Sequence, residues 1–145
     1  MTRTAHSIST ELKPEAAFRF LANVENEVQW RQSIEGSRYV GAGAPALGVD
    51  GETDVAMGSK SLTMRWTIVD FAEGHRVEWR LDGDPWHGGG SYTVTPRDRG
   101  SEIRAALEVR LNGAARVFEP LLGFQLRRGL REDLRRLERL LPRVG

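Results

Sequence analysis

Apolar and polar residues alternate along the middle of this chain, and the alternation gives way after residue 112 to a helical period. Leu62, Met64, Trp66 and Ile68 fall on one face of an expected strand, with Thr63, Arg65 and Thr67 on the other. Val77, Trp79 and Leu81 alternate with Arg76, Glu78 and Arg80 in the next segment. Ile103, Ala105, Leu107, Val109 and Leu111 alternate with Glu102, Arg104, Glu108 and Arg110 in the last. Weaker alternation predicts strands over residues 5–12, 36–40, 52–57 and 86–95. Turns at Gly58-Ser59, Glu73-Gly74, Asp82-Gly83-Asp84-Pro85 and 96–100 are short, which implies antiparallel neighbours with one wet and one dry face. Gly88-Gly89-Gly90, unusual inside a strand, predicts a bulge. The loop Gly41-Ala42-Gly43-Ala44-Pro45 is flexible in composition and lacks the lysine and Ser-Thr pair of a phosphate loop.

Two helical regions frame these strands. Pro14 suits the first turn of a helix running to about Ala22, with Ala17, Phe18, Leu21 and Ala22 at helical spacing. A second short turn covers residues 24–30. From about Ala114 to Leu141 a long helix puts Leu126, Leu130, Leu134, Leu137 and Leu141 on one side, and Arg128, Arg131, Arg135 and Arg139 opposite. Val117, Leu121 and Phe124 continue the arginine side and would be exposed on a straight helix, so Pro120 and Gly123 predict a bend. The alternative is that ligand or another subunit covers that end. A lone long helix after a sheet must lay its apolar stripe across the sheet, which leaves a hollow between them.

Composition narrows the picture. The chain has 145 residues, enough for one domain spanning 1–145, with net charge +1 and no cysteine. Thiolate chemistry and disulfides are excluded, and no broad positive field draws in nucleic acid. No stretch approaches the roughly 20 apolar residues of a membrane span, and the polar start lacks a signal-peptide core. A cytoplasmic protein without stable membrane insertion is expected. His6, His75 and His87 are too scattered for a metal site, and no metal or cofactor is expected. The arginines of the last helix, nineteen against two lysines in the whole chain, read as a solvated face laced with pairs such as Glu132 to Arg136.

Several segments resemble a known family. Pro14-Glu15 with Phe18, Phe20-Leu21 and Val24 resembles its first helix, Trp30 the tryptophan closing its second, and Gly48 the glycine entering its third strand. Trp66-Thr67-Ile68-Val69-Asp70 and Gly74-His75-Arg76-Val77-Glu78-Trp79 resemble its central hairpin, and Tyr92-Thr93-Val94-Thr95-Pro96 with Gly100-Ser101-Glu102-Ile103 its last. This is the START-like, helix-grip superfamily, and within it the bacterial polyketide cyclase/dehydrase and lipid-transport (SRPBCC) branch. The resemblance implies an α+β fold, a seven-stranded antiparallel sheet wrapped on the C-terminal helix, and a pocket. It transfers no catalytic motif.

On this reading Trp30, Trp66, Trp79, Trp86, Tyr92, Phe118 and Leu122 wall a pocket for a hydrophobic small molecule such as a lipid or polyketide-like compound. The same rings can instead fill the core. A cyclase or dehydrase using that pocket would need a polar group within it, with Tyr92, His87, Arg65 or Asp70 as candidates. A third reading takes Val117, Leu121 and Phe124 as an interaction surface, including a homodimer contact.

Overall fold

The computed structural model describes residues 2–41, 44–83 and 86–143, without the side chains of Met57, Asp82, Trp86 and Arg143. The loop at 41–45 and the turn at 82–85 therefore lie partly outside the described residues. The strands are β1 (Thr2–Thr10), β2 (Ile34–Tyr39), β3 (Asp50–Met57), β4 (Lys60–Ala72), β5 (Arg76–Asp82), β6 (Trp86–Arg97) and β7 (Gly100–Leu111). They form one sheet in the order β1-β7-β6-β5-β4-β3-β2, every neighbouring pair antiparallel. Helix α1 (Pro14–Ala22) and a 3-10 turn (Val24–Gln29) carry the chain from β1 across the concave face to β2 at the opposite edge. Tyr39 Oη pins the end of α1 by donating to the Ala22 carbonyl at 2.6 Å.

After β7 the chain makes a 3-10 turn (Gly113–Phe118) and then helix α2 (Glu119–Leu140). This corrects the expected single helix with a bend at Pro120. Pro120 occupies the first turn of α2, where its missing N–H has no helical partner to lose, and α2 continues unbroken through Gly123. Helix α2 packs chiefly on β1 and secondarily on β7. Its far half is buried through Leu130, Leu134 and Leu137, with Leu141 just past its end, among Phe18, Leu21, Ile68, Val94 and Ile103. The near half is different: Leu122 and Leu126 are half-buried and Gly129 offers no side chain, so the space over β3 to β5 is not filled from the helix.

Two irregularities depart from simple alternation. Strand β4 slips register between Ile68 and Asp70, which turns Val69 and Asp70 outward and Phe71 inward against Phe18, ring centroids 5.8 Å apart. At Gly88-Gly89-Gly90, where a bulge is expected, pairing to both neighbours runs without a slip. The glycines serve close approach instead. A Cβ on Gly89 would lie 2.0 Å from the Trp79 carbonyl oxygen, and Gly88 takes φ +131, which side-chain-bearing residues rarely adopt.

Candidate functional site

The alternation of β4, β5 and β6 brings a row of rings onto the concave face. Trp66 lies 5.6 Å from Tyr39 and 6.5 Å from Trp79, Trp79 lies 4.9 Å from Tyr92, and Tyr92 lies 5.8 Å from Trp30, all as ring-centroid distances in tilted or edge geometry. Such pairs contribute about 0.5–1.5 kcal/mol each beyond burial. Glycines make room for them. Gly51 is the cross-strand partner of Trp66, and a Cβ there would sit 2.2 Å from the indole. Gly90 is the partner of Trp79, and its Cβ would sit 2.6 Å from that ring. Trp66 Nε1 donates to Thr53 Oγ1 at 2.8 Å, and Thr53 shares a second 2.8 Å bond with Ser37 Oγ, so this buried indole is oriented rather than free to turn.

Between this surface and the near half of α2 is a cavity of about 410 Å³. That volume lies within the usual range of about 300–1,000 Å³ for small-molecule sites. Trp66, Trp79, Leu81 and Leu107 form its floor, and Leu122, Leu126, Gly129 and Leu130 its roof. Exposed Ser33, Ala56 and Gln125 mark its mouth, between the β2–β3 edge and α2. A second depression, about 360 Å³, lies over Gly89, Ser91 and Ala106, but it is shallow and rimmed by charges already paired, such as Arg76 with Asp70 and Arg3 with Glu108.

The cavity has one polar end. Arg31 and Asp133 are both on its wall. Arg31 Nη1 donates to Glu27 Oε2 at 2.6 Å, and Tyr92 Oη donates to the same oxygen at 3.4 Å. Asp133 Oδ1 accepts from the Gln32 backbone N–H at 3.2 Å and from Arg136 Nη2 at 3.0 Å. Burial works against the Arg31 charge, but the Glu27 carboxylate that it hydrogen-bonds and the nearby Asp133 more than offset it and hold the guanidinium firmly protonated. Burial pushes the Asp133 carboxyl above its ordinary range against the pull of Gln32, Arg31 and Arg136. Burial, reinforced by Glu27, likewise keeps the Tyr92 phenol neutral. Two carboxylates and two guanidiniums (Glu27, Asp133, Arg31, Arg136) sum to no net charge.

The predicted wall residues divide. Trp66, Trp79 and Leu122 line the cavity. Trp30 and Tyr92 sit behind it in the core, joined to it through the ring row. Phe118 is a correction: it is 62% exposed in the 3-10 turn before α2, on an outward side shared with the likewise exposed Val117, Leu121 and Phe124. The Trp86 side chain lies outside the described residues, and its backbone pairs with Leu111. His87 pairs in register with Arg110 on the outer face, His75 is committed through Nδ1 to the Val94 carbonyl at 2.8 Å, and His6 lies on β1 opposite Ala105. Arg65 and Asp70 are exposed, Asp70 bonded to Arg76, so neither reaches the cavity.

Sequence reasoning missed Glu27, Arg31, Thr53 and Asp133. A signal was available for three of them. Glu27 and Arg31 are one helical turn apart around Trp30, and Asp133 interrupts the leucine side of α2 between Leu130 and Leu134.

A curled antiparallel sheet gripping a C-terminal helix over a hollow is the helix-grip fold, and the comparisons agree. Residues 1–142 match the family described as polyketide cyclase / dehydrase and lipid transport, and the chain belongs to it. The fold is similar to that of a START superfamily protein from Mycobacterium smegmatis (15% identity, all of both chains, TM-score 0.82). It is also similar to the TTHA0849 protein of Thermus thermophilus (12% identity, 99% of both chains, TM-score 0.81). The DR_A0006 protein of Deinococcus radiodurans is a third neighbour (14% identity, 97% of this chain and 96% of that one, TM-score 0.73). No curated protein matches the sequence significantly. Family and fold are consistent with hydrophobic ligand binding. Among the described residues, no helix is long and apolar enough to cross a membrane.

Proposed function

We propose that the chain, acting as one domain, binds an uncharged, largely apolar small molecule carrying an oxygen function at one end. The observation that carries this reading is the 410 Å³ cavity with indole and leucine walls and a single polar end. Because that end is charge-neutral, an ionic head would find no unmatched opposite charge there. A carbonyl accepting from Arg31, or a hydroxyl donating to Asp133, is accommodated without stranding a charge. A lipid or polyketide-like compound is the class that fits.

Gly129 supplies the test. It is on the cavity wall, and no atom lies within 4 Å of where its Cβ would be. Gly129→Phe should leave the fold intact and place a ring in the cavity. Native mass spectrometry of protein purified from cells should show a co-purifying apolar compound in the wild type and none in Gly129→Phe. Equal loading of the two proteins, or none in either, would remove the reading.

Asp133 favours one second reading, a cyclase- or dehydrase-type activity. A buried carboxyl with a raised pKa on the cavity wall suits proton transfer at a bound carbonyl. If a substrate is found, Asp133→Asn should abolish turnover while retaining binding; unchanged turnover would exclude Asp133 as the acid or base.

A further inference from the structure

We propose that the start of α2 and the 3-10 turn before it form a docking surface for an anionic lipid bilayer. Val117, Phe118, Leu121 and Phe124 are 75%, 62%, 59% and 57% exposed, four large apolar side chains within eight residues. The other large exposed apolar residues, such as Val28, Leu47 and Val69, are scattered over separate elements. Monomeric proteins seldom leave such a contiguous patch bare without using it.

The charges around the patch choose its occupant. Residues 113–132 contain Arg116, Arg127, Arg128 and Arg131, all exposed, and two acids, Glu119 and Glu132, the second paired with Arg128 at 3.2 Å, so the segment keeps a local positive excess. Phenylalanine and leucine on the outer face of a helix, followed by arginines on the same side, suit the acyl–headgroup boundary of a negatively charged membrane. A second copy of the chain suits the patch less well. A twofold contact would bring two sets of these arginines together, and four side chains fall short of the roughly 800 Å² per partner of a stable interface. The patch also adjoins the cavity: Leu122 and Gln125, interleaved with Leu121 and Phe124, are on its roof and at its mouth. Docking would hold that opening against the phase in which apolar molecules dissolve. The docking itself does not depend on the ligand reading.

The test is sedimentation of the full chain with vesicles of phosphatidylcholine alone and of phosphatidylcholine with about one-third phosphatidylglycerol. Binding should be confined to the anionic vesicles and weaken as salt is raised. Phe118→Ser/Leu121→Ser/Phe124→Ser and Arg116→Glu/Arg127→Glu should each lower the partition coefficient about tenfold or more. Circular dichroism should be unchanged, because all five side chains are exposed. The proposal is overturned if the wild type binds neither vesicle, or if the serine variant binds like the wild type. Light scattering that shows a dimer dissolved by the serine variant would give the patch to a second copy instead, and also overturns it. Gly129→Phe should dock unchanged, which separates failure of the ligand reading from failure of this one; loss of docking in that variant alone would move the membrane contact from the patch to the cavity.

Discussion

Single atoms decide the shape of the ring row. With Trp66 locked to Thr53 and backed onto bare Gly51, Gly51→Ala forces either the indole or the strand to move. A loss of about 1–3 kcal/mol is expected on urea denaturation. In a Trp66→Leu background Gly51→Ala should cost much less than in the wild type, since the clash is with the ring, whereas an undiminished cost would refute the cause. At the polar end, Arg31→Met would leave Glu27, 5% exposed, without its cation. The expected cost is roughly 3 kcal/mol, largely relieved in Glu27→Gln/Arg31→Met; an equal cost in the double variant would show that packing, not the stranded charge, is responsible. Asp133 has a pH signature. Its folded pKa is raised above the ordinary 3.8, so its protonated form is the one the fold prefers. Its stabilising contribution is complete below 3.8 and is lost as pH rises through the folded pKa. The stability of the wild type relative to Asp133→Asn should therefore fall over that interval and then level off. A relative stability that rises over the same interval would contradict the burial.

At the scale of elements, the strands were legible because one wet and one dry face impose a period of two, and α1 because Pro14 and its apolar spacing agree. Helix α2 was legible in its far half, where Leu130, Leu134 and Leu137 meet the sheet. Its beginning was not. Pro120 was read as an interior kink because local pattern cannot distinguish a first turn from a middle one when the preceding turn is also helical in period. The β4 slip after Ile68 was equally hidden, since Val69 and Phe71 are both good strand formers and only packing against Phe18 selects between faces. Gly129 was invisible as a feature, because a glycine inside a helix normally signals only weakness. Gly129→Ala should raise stability by about 0.5–1 kcal/mol, as the added methyl meets nothing. A destabilised variant would mean that the added methyl meets the cavity floor.

For the whole molecule, the hollow followed from topology, whereas its chemistry did not. The apolar rings Trp66 and Trp79 could be assigned to one face from alternation alone. Arg31 and Asp133 share one end of the cavity because the segment after α1 and the middle of α2 converge, joined by the Gln32 N–H to Asp133 bond between residues a hundred positions apart, which no spacing rule reports. The outer surface was read well in kind but not in detail: Arg128 pairs with Glu132, and Arg136 turns to Asp133 and Gln32 rather than to Glu132.

The edge-to-edge position of the first strand has a consequence for biosynthesis. Thr2 pairs with Val109 and Thr10 with Ser101, so β1 is made well before the strand it pairs with. Until β7 and α2 have been made, β1 has neither its partner nor its cover. Completion of the sheet therefore comes at the slow pace of distant pairings. Until then an unclaimed ladder is open to other polypeptides, and a nascent-chain holdase would find its substrate there.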